Sequence, residues 1–149
     1  MFKSVCLTAA MVLCPLAANA TESLLMQEST HSVQATADKF VSIAEGKGLN
    51  VFARIDHQKN AQGVDLALRP TQVIIFGNPV VGTKLMQCSQ SMGIDLPLKV
   101  LVSEDENQKV WLTYQNPHYL KTLHNVKGCD AVIEKVSGVM GALTSAAAK

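Results

Sequence analysis

The chain has 149 residues, with 13 Lys+Arg against 12 Asp+Glu, a formal charge of +1 and 48% hydrophobic residues. A near-neutral chain without a Lys/Arg run lacks the electrostatic footprint of a nucleic-acid or anionic-membrane binder. Its length suits one domain with a core of its own.

Residues 1–20 carry the three parts of an export signal. Lys3 supplies the positive start, Cys6 to Ala17 is apolar with Pro15 near its end, and Ala18-Asn19-Ala20 gives small residues at the positions a signal peptidase reads. Cleavage after Ala20 is expected, leaving a single domain over residues 21–149. A membrane anchor is disfavoured, because about twelve apolar residues are too few to cross a bilayer. A lipoprotein site at Cys14 is disfavoured by Leu13 before it. The leader contains one cation and no anion, so the mature domain is electrically neutral. The expected location is periplasmic or secreted, with no membrane association after cleavage and no nucleic-acid partner. Cys6 and Cys14 leave with the leader, and the remaining Cys88 and Cys129 pair most simply as a disulfide in an oxidising compartment. A free thiol pair or two metal ligands are the alternatives; no C-x-x-C motif signals a redox or zinc site.

In the mature chain, Ser23 to Glu28 reads as a first strand. Ser32 can cap a helix whose stripe is Val33, Ala37, Phe40, Val41 and Ala44, ended by Gly46 and Gly48. Asn50 to His57 alternates, with Val51, Ala53 and Ile55 on one face and Phe52, Arg54 and Asp56 on the other. Gln58 to Leu68 reads as a polar connection. Thr71 to Gly77 is nearly continuous in its apolar run, the mark of a central strand covered on both faces, and Asn78-Pro79 stops it. Val80 to Ser91 reads as a short helix with Val81, Leu85, Met86 and Cys88 turned inward, ended by Gly93.

Pro97 to Glu104 and Lys109 to Tyr114 form a hairpin around the acidic turn Glu104-Asp105-Glu106-Asn107. Asn116-Pro117 opens a short irregular or helical segment through His124. The last helix spans about 130–145, with Asp130 as cap and Val132, Val136, Val139, Met140 and Leu143 as its stripe. Gly138 and Gly141 lower its propensity, and its Ala-rich end is expected to fray. The order β-α-β-β-α-β-β-α implies a single α+β domain, a mostly antiparallel sheet with helices packed on one face.

Three segments are more specific than their composition requires: Val51-Phe52-Ala53-Arg54-Ile55-Asp56-His57, Pro70 to Pro79, and Gly93-Ile94-Asp95-Leu96-Pro97-Leu98-Lys99. With Gly82-Thr83-Lys84-Leu85-Met86 and Val110-Trp111-Leu112-Thr113-Tyr114 in order, residues 32–124 resemble the domain-of-unknown-function 302 family. The resemblance implies a small α+β domain, homodimeric in some members, with no established activity. Lys84 departs from the pattern, which often carries proline there. The Cys88/Cys129 pair lies outside the family motif and is consistent with an adaptation to export.

Asp56-His57 stands at a strand end, where side chains reach solvent. His57 can act as ligand, proton carrier or metal-binding group. Adjacent strand residues point to opposite faces, so the two cannot form one general-base pair, and capping of the loop is the simpler role. Amides around Asn78 can bind an anion at the second helix's start, although a tight turn accounts for the same residues. With Asp95 of the third segment, the candidate ligand-binding set is Asp56, His57, Asn78 and Asp95.

His57, Met86, Met92, His118 and His124 could furnish a soft copper or haem site, but no C-x-x-C-H accompanies them and Met86 sits on a core stripe. No cofactor is therefore expected. No G-x-S-x-G, H-E-x-x-H or G-x-G-x-x-G motif appears, and a solvated hairpin tip explains the carboxylates of Glu104 to Glu106. The expectation is an exported, disulfide-closed α+β domain that binds rather than transforms its partner, a second copy of itself first, with a small unidentified ligand as a further option. A metal or haem carrier and an unrecognised enzyme are the rivals.

Overall fold

A computed structural model describes residues 22–149. The expected leader and its cleavage point lie outside the described residues. Five strands run in chain order as β1 (Leu24–Ser29), β2 (Asn50–Asp56), β3 (Thr71–Gly77), β4 (Leu98–Glu104) and β5 (Val110–Gln115). They form one antiparallel sheet in the order β1-β5-β4-β3-β2. Helices α1 (Val33–Gly46), α2 (His57–Gln62), α3 (Pro79–Cys88), α4 (Pro117–Leu123) and α5 (Asp130–Ala147) complete the α+β domain, with a 3-10 turn at Gln90–Ile94.

The strand alternation decides which face is the core. Ile74, Phe76, Val100, Val102 and Leu112 are fully covered, and α1 and α5 pack on that face. Phe40 of α1 meets Phe76 edge-to-face at 4.9 Å between ring centres. Such a pair adds about 0.5–1.5 kcal/mol to the burial of the two rings. Buried Gln72, an exception among apolar neighbours, accepts from Arg54 Nε at 2.7 Å and donates to Gln34 at 2.9 Å, so its amide is satisfied.

Serine at position 32 caps α1 as expected, accepting from the Ala35 amide at 3.3 Å. Gly46 closes the helix, and Gly48, at φ +74°, takes the left-handed conformation beyond it that lets the Leu49 amide reach Ala44 O at 3.0 Å.

Several sequence expectations are corrected. The 58–68 segment is not wholly irregular: α2 starts directly after β2 because the Asp56 carboxylate accepts the Lys59 amide at 3.0 Å. Phe52 is an extra residue opposite the Phe76/Ile75 step, a β-bulge. It turns Val51 onto the core face while Ala53 and Ile55 occupy the open face, so the three do not share one side. Among the described residues, β3 is covered on one face only. Its burial alternates, and Val73 and Ile75 are only half-buried on the open side. The expected 80–91 helix divides into α3 and the 3-10 turn. The Ala-rich end of α5 does not fray: Ala147 and Ala148 are buried, and Ala148 O accepts the Thr30 amide at 3.0 Å.

Candidate functional site

The β2 start, β3 end, β4 start and β5 end meet at one end of the sheet. There, Asn78 leaves β3 and caps α3, its side-chain oxygen accepting the Val80 and Val81 amides at 2.9 and 3.3 Å. Those two amides are therefore used by the fold, which favours the turn role over anion binding. Beside this cap lies an apolar cleft of about 340 Å³, walled by Phe52, Val81, Met86, Leu96, Pro97 and Val136 among others. The bulge at Phe52 aims a half-exposed ring at its mouth. An adjoining hollow shares Gly77, Asn78, Val81, Leu98 and Val136 and adds Lys47 and Lys135. Neither lysine forms an ion pair among the described residues.

A hydrogen-bond chain runs along the same end of the sheet. The Asp95 carboxylate lies 2.6 Å from His124 Nε2 and accepts from the Gln115 amide at 3.1 Å. A carboxylate accepts only, so Nε2 carries a proton, and in the neutral imidazole Nδ1 presents its lone pair. Ser91 Oγ stands 3.0 Å from that Nδ1. Ser89 Oγ donates to the His124 carbonyl at 2.8 Å, fixing the residue's backbone. The His124 and Asp95 side chains are 7% and 19% exposed, whereas Ser91 is open to solvent. Burial alone would raise the Asp95 pKa. Hydrogen bonds from His124 and Gln115, with the charges of His124 and Lys99, outweigh it and hold the carboxyl below its usual range.

Two chain segments carry this array, and a disulfide joins them. Cys88 ends α3 directly before Ser89, and Cys129 follows His124 at the start of α5; their Cα atoms are 6.3 Å apart and the sulfurs are bonded.

The candidate ligand-binding set is split by the fold. Asn78 and Asp95 share the cleft end of the sheet, while Asp56 and His57 lie at the opposite end, where Asp56 pairs with Gln72. His57 is the first residue of α2, and Asp56 is committed to capping it. The imagined copper or haem set is scattered too: Met92 is buried, Met86 lines the cleft, His118 faces Glu134 at 3.8 Å and His124 is held by Asp95. Among the described residues no group of three His, Cys, Asp or Glu side chains is placed to hold a metal.

Sequence reasoning missed Ser89, Ser91 and Gln115. The available signal was the spacing Ser89-x-Ser91-x-Gly93, which differs from a G-x-S-x-G nucleophile turn at its first position. The Ser, Asp, His order is likewise visible. That Asp95 and His124, 29 positions apart in the chain, meet in the fold was not.

The family model described as "Domain of unknown function DUF302" matches residues 25–143. The chain belongs to the DUF302 family. The match extends beyond the expected 32–124 core at both ends, taking in β1 and most of α5, which pack against the rest of the domain. A DUF302 protein from Bacillus stearothermophilus, described as an uncharacterized conserved protein, has the same fold. Its TM-score is 0.75 at 14% identity, with 83% of this chain and 97% of that one covered.

Two Brucella proteins, from B. suis biovar 1 (strain 1330) and B. abortus biovar 1 (strain 9-941), are each 40% identical over 135 residues and are named fluoride-specific ion channel FluC 1. The DUF302 chain is covered to 90% in both matches but spans only 53% and 50% of those proteins. No helix among the described residues is long and apolar enough to cross a membrane.

Proposed function

We propose that this DUF302 protein is an exported, homodimeric binding domain in which two copies stack their open sheet faces. The observation that carries the reading is the sheet face that α1 and α5 leave open among the described residues, where apolar side chains gather beside Lys99, Ser103 and Thr113. Ile55, Val73, Ile75, Leu101, Trp111 and Met26 point away from α1 and α5, and Met26 is 59% exposed. A continuous apolar β3 makes physical sense when its second face is covered by another sheet. Five strands about 4.8 Å apart and about six residues long give a face of roughly 24 by 20 Å. That is roughly 480 Å² in plan, so reaching the ~800 Å² per partner of a standard interface takes the side chains at the rim of the sheet as well. Ile75→Lys, at the middle of this face, should convert a two-chain particle into single chains in sedimentation velocity without lowering helix content. A wild-type protein that already sediments as single chains sinks the reading.

The cleft supplies the binding half of the proposal. Apolar walls with Lys47 and Lys135 at the adjoining mouth suit a small amphipathic anion with a linear apolar body. Sodium laurate should bind saturably at one per chain in calorimetry. Gly82→Leu should abolish binding by filling the cleft, since a Cβ at Gly82 meets only Leu96 Cδ1, at 3.9 Å. Laurate binding that is unchanged in Gly82→Leu refutes the cleft as its site.

A second reading, favoured by the match to half of each Brucella protein, makes the domain a companion of a fluoride channel. Millimolar fluoride would then raise the melting temperature of the isolated domain. An unchanged melting temperature sets this reading aside.

A further inference from the structure

We propose that Ser91 is an acyl-accepting nucleophile, with His124 as its general base and Asp95 as the residue that positions the base, acting on small carboxylic esters. Sequence motifs signal no such site; the fold assembles it from the 3-10 turn, its C-terminal neighbour and the residue after α4. The reading goes beyond ligand binding and does not depend on dimerisation.

The proton positions carry the argument. Asp95 at 2.6 Å accepts from His124 Nε2, so in the neutral imidazole Nδ1 is the nitrogen that accepts from the Ser91 hydroxyl at 3.0 Å. Ser89 gives its own proton to the His124 carbonyl, which leaves the Ser89 oxygen, 3.1 Å from Ser91 Oγ, as an acceptor. When the Ser91 proton passes to His124, Nδ1–H donates back to the Ser91 oxygen across the same 3.0 Å contact, so the pair stays hydrogen-bonded through the transfer. The base is nearly enclosed and the hydroxyl is exposed, the arrangement that lets an external carbonyl reach the oxygen while the base stays oriented. Gln115 takes the second Asp95 oxygen, and Lys99 Nζ donates to the Asp95 carbonyl at 3.0 Å, so the positioning residue is itself held. Relative to the familiar serine triads the imidazole is turned over, with Nδ1 toward the serine. The roles need only one nitrogen as base and the other as anchored donor.

In the first step Ser91 Oγ forms a bond to the ester carbonyl carbon, its proton passes to His124 Nδ1, and the alkoxy group departs as the alcohol with that proton. Water then attacks the acyl-serine, yields a proton to Nδ1, and the carboxylic acid leaves as Ser91 recovers its hydrogen. Ester and water become acid and alcohol, with no other reactant.

The test treats the mature, oxidised protein with p-nitrophenyl acetate, following nitrophenolate release and mapping acetyl groups by peptide mass spectrometry. The expected result is acetyl-Ser91 at up to one per chain, or steady ester turnover, and loss of both in Ser91→Ala. Ser91 is exposed, so that variant keeps its fold. His124→Gln should slow nitrophenolate release on the order of 100-fold. Asp95→Asn should slow it and also change its pH profile, with Asp95→Glu restoring part of the rate; a merely structural role would leave the profile of the folded variant unchanged. Acetylation confined to lysines, or release unaltered in folded Ser91→Ala, overturns the proposal. Either result leaves the dimer reading to its own sedimentation test.

Discussion

Removing the Cys88–Cys129 bridge should lower stability by an amount the chain itself sets. The bonded cysteines are 41 positions apart, so reduction frees a loop of that size in the unfolded chain. In the chain-entropy account, closing such a loop stabilises the folded state by about 4 kcal/mol at 25 °C. For a domain of this size each kcal/mol moves the melting temperature by about 4 °C, so the predicted drop is about 12–16 °C. The assay is thermal unfolding by circular dichroism of three samples: oxidised wild type, wild type under reductant, and the Cys88→Ser/Cys129→Ser variant. The last two should melt together, well below the first. Cys129 is buried, so the variant also carries a small polar penalty and should not melt above the reduced wild type. A double variant within about 3 °C of the oxidised protein would mean that the bridge contributes under about 1 kcal/mol, against the loop-closure account.

Acidification tests the Asp95 array. Its folded carboxyl lies below the ordinary value, so its contribution is present above about pH 4 and is lost as pH falls through the lower folded value. Urea midpoints measured from pH 5 to pH 2 should fall less steeply in Asp95→Asn than in wild type, and equal slopes would remove the array from the stability account. In the core, Phe40→Ala opens a space beneath the sheet where Phe76 loses its edge-on partner; a loss of about 3–5 kcal/mol in denaturant titrations is expected, and a loss under about 1 kcal/mol would show that the core closes over the gap.

The elements were legible in the sequence wherever one local signal dominated. Ser32 announced a helix start, Asn78-Pro79 the end of β3, period-four apolar residues marked α1, and the alternation on both sides of the Asp105 turn marked the β4–β5 hairpin. What failed depended on partners distant in sequence. The Phe52 bulge exists because β2 must pair with β3, and nothing within Val51 to Asp56 encodes the extra residue. The end of α5 looked prone to fray by composition, yet β1 supplies Thr30 to its last carbonyls. The apolar β3 run correctly marked an interior strand, but the helices that cover it lie on one face only among the described residues.

For the site, Asp95 and Asn78 were identified singly and His124 only as an imagined metal ligand. Their common location follows from β3, β4 and β5 ending together beside the bridged α3–α5 junction. Asp56 and His57 shared a strand-end signal with them but belong to the opposite end of the sheet. A strand has two ends, and local pattern does not distinguish them.

Native mass spectrometry of the protein isolated from its own compartment, sprayed at micromolar concentration, reads chain number, chain start and linkage in one experiment. A particle of two chains is expected, each beginning at Thr21, with Cys88 and Cys129 linked within each chain. A particle of one chain under those conditions contradicts the dimer.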